Sequence, residues 1–295
     1  MVVKHSMGRR VFLGINGLIF LLMVLMCAYP LWYILVQSLS GAILPGKALV
    51  VPYEFTFFNY SQVFSLRGVP SAVTVSLLRT VLGTTLTTAC CMLLGFLFSK
   101  PDLPFRGFLY RALTITMYVS GGLIPTYLTI KAYGLLNNFW VYVIPYAVSA
   151  YYVILIKTYV EQLPASVEES AEIDGAGVLT IFFRIILPMS LPILATIAVY
   201  ASVAQWNAWF DNNIYTFSVE KLTTMQYLLY RYLNEAEIIS AQIEKSSIEM
   251  DISKMITPKG VRMTITMVTV LPVLMVYPFL QRFFIKGILI GAVKG

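Results

Sequence analysis

The chain has 295 residues, 58% of them hydrophobic and only 12% charged, with a mean hydropathy of +0.78. Soluble domains carry roughly 25% charged residues, so this composition excludes an ordinary water-soluble fold and describes an integral membrane protein. The net charge of +7 comes from Lys and Arg scattered singly around apolar runs rather than gathered in a basic stripe with aromatics, which argues against nucleic acid as a partner.

The elements follow in chain order. His5 lies in a terminal tail and carries no role. Lys4, Arg9 and Arg10 precede a first apolar run, Val11 to Val36. It is too long for a cleavable leader and no small-x-small site follows it, so an anchor is expected. The first outer loop, rich in aromatics from Tyr53 to Phe64, is, like the long outer loop after the fifth run, a candidate platform for an external protein or a merely solvated loop. The second run, Val73 to Phe98, has Arg79 near its outer end, where a long cation is expected to snorkel to the headgroups. In the third, Leu109 to Ile130, Gly121, Gly122 and Pro125 should interrupt the helix and free backbone polar groups, which suits a cavity wall; small residues also let helices pack closely. Tyr118 and Tyr127 flank that break and join it as candidate pathway residues. A fourth run spans Phe139 to Val160 and a fifth Leu191 to Phe210. Near the fifth run's outer end, Trp206, Asn207 and Trp209 combine aromatic faces with an amide, as carbohydrate sites do, and equally suit an interfacial aromatic belt. The loop Asp211 to Gly260 contains a candidate surface helix, Tyr227 to Lys245, before a sixth run, Val261 to Gln281.

Each run reaches the length of about 20 residues that crosses a ~30 Å hydrocarbon layer. None shows the period-two alternation of a barrel strand, so the expected fold is an all-α bundle of six transmembrane helices in one domain over 1–295. Cys27, Cys90 and Cys91 lie inside apolar runs without metal-ligand spacing or an obvious disulfide partner, and no metal site is expected. With the N-terminus inside, Lys4, Arg9, Arg10, Lys100, Arg106, Arg111, Lys157, Arg184, Arg282, Lys286 and Lys294 face the cytoplasm, against Lys47, Arg67, Arg79 and Lys131 at short outer loops and helix ends. That imbalance favours both termini inside; the long loop influences topology weakly.

The 14 acidic residues are as uneven. Glu161, Glu168, Glu169, Glu172 and Asp174 cluster between the fourth and fifth runs, and Asp211, Glu220, Glu235, Glu237, Glu244, Glu249 and Asp251 fall in the long outer loop. Only Glu54 and Asp102 are left, neither within a run. An ion-coupled secondary sugar carrier, the alternative function, usually keeps an ionisable group at membrane depth, and the distribution offers none.

The segment between the fourth and fifth runs follows helix rules. Pro164 opens a turn, Ser166 and Glu169 form a capping box, and a short helix is expected over Val167 to Ile173. Asp174-Gly175 stops it. A second amphipathic piece, Val178 to Ile186, puts Ile181, Phe182, Ile185 and Ile186 on one flank, and Pro188 after Leu187 kinks the chain. The charged side of this cytoplasmic hairpin has no evident use unless something docks on it.

Glu169, Ala171, Gly175, Ile185, Leu187 and Pro188 meet the pattern E-x-A-x-x-x-G, nine residues, I-x-L-P. This resembles the cytoplasmic loop signature of permease subunits of binding-protein-dependent ABC importers, with Ser170 where the family often has Ala. SGGLIPTYL, GLLNNFW, QWNAWFDNNIY and the C-terminal YPFLQRFFIKGILIGAVKG extend the likeness to the carbohydrate branch, in particular second permease subunits of oligo- and polysaccharide systems such as the alginate importer. The resemblance implies a bacterial inner-membrane protein in a heterodimer with a related permease. It also implies a pair of ATPase subunits holding ATP and Mg, an external solute-binding protein and an oligosaccharide substrate. It assigns Glu168, Glu169, Ser170, Ala171, Asp174, Gly175, Ala176, Leu187 and Pro188 to ATPase coupling, with no catalytic residue in this chain. The sequence has no G-x-x-x-x-G-K-[ST] loop, so ATP hydrolysis is expected elsewhere.

Overall fold

The computed structural model describes residues 7–41, 50–66, 68–234 and 260–275; apart from one antiparallel bridge between Ser40 and Phe55, their regular elements are helices. These residues divide into two compact units, one within Met1–Leu66 and Tyr232–Val270, the other within Arg67–Arg231 and Leu271–Gly295.

In the first unit, α1 (Met7–Ser38) exposes apolar side chains from Val11 to Met26 on every side, as a helix surrounded by lipid does. Its C-terminal end is closed by α2 (Phe58–Ser65), whose Asn59 side-chain amide donates to the carbonyls of Ser38 and Ser40 at 3.1 and 2.9 Å.

The second unit is built on α3 (Val69–Ser99), which begins after a left-handed Gly68 and has Pro70 in its first turn, where its missing N–H costs nothing. Against α3 pack α6 (Ala150–Val160) and α10 (Leu191–Asn207). The α3–α6 crossing is close because position 95 is glycine: a Cβ there would sit 2.6 Å from Ile156 Cγ2 and 2.7 Å from its Cβ. Phe96 and Met92 of α3, Val153 and Ile156 of α6, and Leu194 and Ile197 of α10 form one buried cluster.

Between α3 and α6 the chain is broken twice, first where Gly121, Gly122 and Pro125 predict it. The run 109–130 is not one helix: α4 (Arg106–Ile115) ends, and α5 (Leu123–Ala132) starts after Gly122, whose φ of +79° only glycine adopts cheaply. The run 139–160 is two short 3-10 turns, Phe139–Tyr142 and Ile144–Tyr146, bent by 45° from α6; Pro145 removes a donor there. The fifth run stops at Asn207 rather than 210, and α11 (Phe210–Tyr215) follows. Beyond it a helix covers 225–234, the opening half of the expected surface helix 227–245, whose remainder lies outside the described residues. The sixth run is helical over Gly260–Met275, and 276–281 also lie outside them. Among the described residues two helices, Met7–Ser38 and Val69–Ser99, are long and apolar enough to cross a membrane alone, or up to four spans if each bent pair counts as one. The interruption expected at Gly121, Gly122 and Pro125 is thus present, and the fourth run is broken as well.

Candidate functional site

The hairpin between α6 and α10 starts with α7 (Ala165–Ile173), two residues earlier than Val167. Pro164 takes the N-cap position, so Ser166 is already inside the helix. The expected capping box is absent, and the Ser170 hydroxyl donates to Ser166 O at 2.7 Å. At the other end the stop is complete. Gly175 has φ +80°, its N–H donates to Glu172 O at 3.0 Å, and the Ala176 N–H donates to Ala171 O at 2.9 Å, the paired bonds of a Schellman turn. That turn folds Ala171 and Ala176 inward against the core cluster.

The returning limb is α8 (Val178–Ile181), a π-helical turn Phe182–Ile186 and α9 (Leu187–Met189). Ile181, Phe182 and Ile186 are buried with the α3, α6 and α10 side chains, and Leu187 packs beside them while Pro188 is exposed. The path then turns by 75° at Ser190 into α10. Glu169, Asp174, Val178 and Leu179 stay on the surface, and Ile173 is 86% exposed. The hairpin thus has an inner side joined to the bundle and an outer side of mixed apolar and acidic groups.

Ion pairs fasten its base. Lys100, at the C-terminal end of α3, pairs with Glu168 in the first turn of α7 and lies 4.7 Å from the Phe96 ring centroid. Burial draws the Lys100 ammonium below the ordinary lysine range, and the carboxylates of Glu172 and Asp102 oppose that shift. Glu161 bridges Arg106 of α4 at 2.8 Å and Lys157 of α6 at 2.7 Å.

Toward the other end of α3, about 30 Å away along its axis, lies a site the sequence did not reveal. Arg79 does not snorkel: it is 1% exposed and paired with Asp211, itself 2% exposed, at 2.5 and 3.2 Å. Its guanidinium also donates to Gln205 Oε1 twice at 3.2 Å and to Ala208 O at 3.2 Å, and lies 4.5 Å from the Tyr142 ring centroid. An acid is therefore buried where none was expected, next to the end of α10. The signal was Arg79 itself, since a cation in an apolar run calls for an acidic partner.

Beside this pair a cavity of about 270 Å³ opens between α3, α6 and α10, lined by Thr87, Tyr146, Ser149, Tyr152, Ala204 and Gln205 among others. The break before α6 forms one wall, held to α3 by Thr87 Oγ1 donating to Tyr146 O at 2.8 Å and by Ser149 N–H donating to Cys91 Sγ at 3.4 Å. The eight candidate pathway residues are not part of its lining. Tyr118, Gly121, Gly122 and Pro125 are exposed around the α4–α5 break, and Tyr127 stacks on Tyr215 at 6.2 Å. Trp206 is 7% exposed, Asn207 ends α10 on the surface, and Trp209 stacks on Tyr230 at 4.1 Å. Trp206 is thus buried and Trp209 is paired with another ring. Among the described residues no group of His, Cys, Asp and Glu could hold a metal ion.

No protein-family model matches the chain. It is 34% identical over 279 residues to the polygalacturonan/rhamnogalacturonan transport system permease protein YtcP of Bacillus subtilis, covering 94% of this chain and 96% of that one. It is 33% identical over 270 residues to protein LplC of the same organism, covering 90% of this chain and 89% of that one. Among solved structures, a bacterial ABC transporter involved in import of the acidic polysaccharide alginate superimposes with a TM-score of 0.83 at 26% identity, over 95% of this chain and 99% of that one.

Proposed function

The chain belongs to the permease proteins of ABC transport systems, and from that premise we propose that it forms half of the translocation path of an ATP-driven oligosaccharide importer. Its termini and the α6–α10 hairpin face the cytoplasm of a bacterial cell, and a separate ATPase pair, holding ATP and Mg, grips the outer side of α7. A related second permease completes the path, and an external solute-binding protein delivers the sugar. The similar transport systems, for polygalacturonan or rhamnogalacturonan and for alginate, favour an acidic oligo- or polysaccharide.

One observation carries this reading: α7 is largely exposed, and the hairpin it opens is seated on the core of α3, α6 and α10 through Ala171 of α7, Ala176 of the turn and Phe182 of the returning limb, with the Lys100–Glu168 pair at its base. A packed core transmits displacement rather than absorbing it. Closure of the ATPases around nucleotide would therefore carry these helices as one body and alternate access to the path, and the permease itself needs no catalytic group. The test is sugar-stimulated ATP hydrolysis by the reconstituted complex. Glu169→Lys, which reverses charge on the exposed side only, is expected to abolish stimulation and weaken co-purification of the ATPase. Unchanged stimulation in that variant would sink the assignment.

A further inference from the structure

Resting on the importer reading, we infer that the cavity between α3, α6 and α10 is a sugar subsite in which the Gln205 side-chain amide donates to a hydroxyl or ring oxygen. Gln205 is 6% exposed, so its amide is committed to the interior. Arginine offers only donors, so Arg79, contacting the amide through Nε and Nη2, fixes the carbonyl end toward itself. The NH2 end is thereby turned away from the ion pair. It rests on α3 at Gly83, where a Cβ would come within 2.6 Å of it, and it has no acceptor among the described residues. Gln205 lines the cavity, so a ligand held there can supply that acceptor.

The remaining walls define that ligand. Tyr146, Tyr152 and Pro145 present rings, and Ala204 and Ala208 leave space. Aromatic faces accept the C–H side of a pyranose while its oxygens take the amide. The one cation at the rim, Arg79, is already neutralised by Asp211, so the cavity offers no counter-charge to a carboxylate. The uncapped first turn of α6, beginning at Ser149 on the same wall, adds open backbone N–H groups. The subsite therefore reads the neutral part of a sugar unit, whether or not the polymer is acidic.

The test places 3-fluorotyrosine at Tyr152 in the assembled complex and titrates it with galactotriose and with the galacturonate trimer, followed by 19F NMR. A saturable shift with both sugars is expected. In Gln205→Glu, which keeps the acceptor for Arg79 and removes the donor, the apparent Kd should rise about tenfold or more. Ala204→Trp, or Ala204→Leu if the larger residue prevents assembly, should abolish the shift by filling the space. Absence of a saturable shift in a wild-type complex that imports either sugar overturns the subsite, as do unchanged titrations in both variants. A wild-type complex in which no oligosaccharide stimulates ATP hydrolysis overturns the importer reading instead.

Discussion

Arg79 and Asp211 show how a charge is kept inside an apolar helix pair. With Asp211 and Gln205 accepting and Ala208 O closing the remaining direction, the guanidinium has its donors met without water. Removing one partner leaves the other charge buried and uncompensated, at a cost of about 3–5 kcal/mol. Asp211→Ala should therefore lower the unfolding midpoint of the purified protein sharply, while Arg79→Met with Asp211→Leu should recover most of it. Equal loss in the single and double variants, measured by thermal unfolding in detergent, would contradict the pairing. Arg79 was legible in the sequence as an oddity but not as a pair, because its acid stands 132 residues away and a local reading sees only the headgroups nearby.

At the scale of elements, the hairpin was the most legible part of the chain. Asp174-Gly175 announces a helix stop by local chemistry alone, and the Schellman bonds at Glu172 and Ala171 follow from it. Gly175→Val should cost about 1–2 kcal/mol of local stability through its forced positive φ. Hydrogen exchange across 165–176 should rise accordingly, whereas Gly175→Asn should be nearly silent. The N-terminal end was less legible, since Pro164 as N-cap starts the helix two residues before the Ser166 box would. Close approach is another element-scale property: Gly95→Val would drive a branched side chain into Ile156 and part α3 from α6. The expected outcome is loss of assembled permease, partly restored by Ile156→Ala, scored by size-exclusion of the complex. Residue patterns flagged the breaks at Gly122 but not the one at 147–149, where Thr87 and Cys91 of a distant helix stabilise the interruption.

For the whole molecule, hydropathy identified the fold class because the bilayer demands apolar helices regardless of detail. It missed the break within the fourth run, because hydropathy averages across backbone breaks that lie among apolar neighbours. The docked hairpin makes a mechanical prediction of its own. Lys100→Glu should reduce coupling of ATP hydrolysis to uptake by loosening α7 from α3, and Glu168→Lys in the same chain should restore much of it. An exposed pair alone is worth only about 0–1 kcal/mol, so the reading to follow is the ratio of sugar moved to ATP spent, not stability.

The most direct measurement is site-specific photo-cross-linking from position 173, the most exposed apolar residue of α7. Cross-links to the ATPase subunit that change in yield between nucleotide-free and ATP-bound complexes are predicted. Cross-links only to lipid or to an external protein would contradict the placement of the motor on this hairpin.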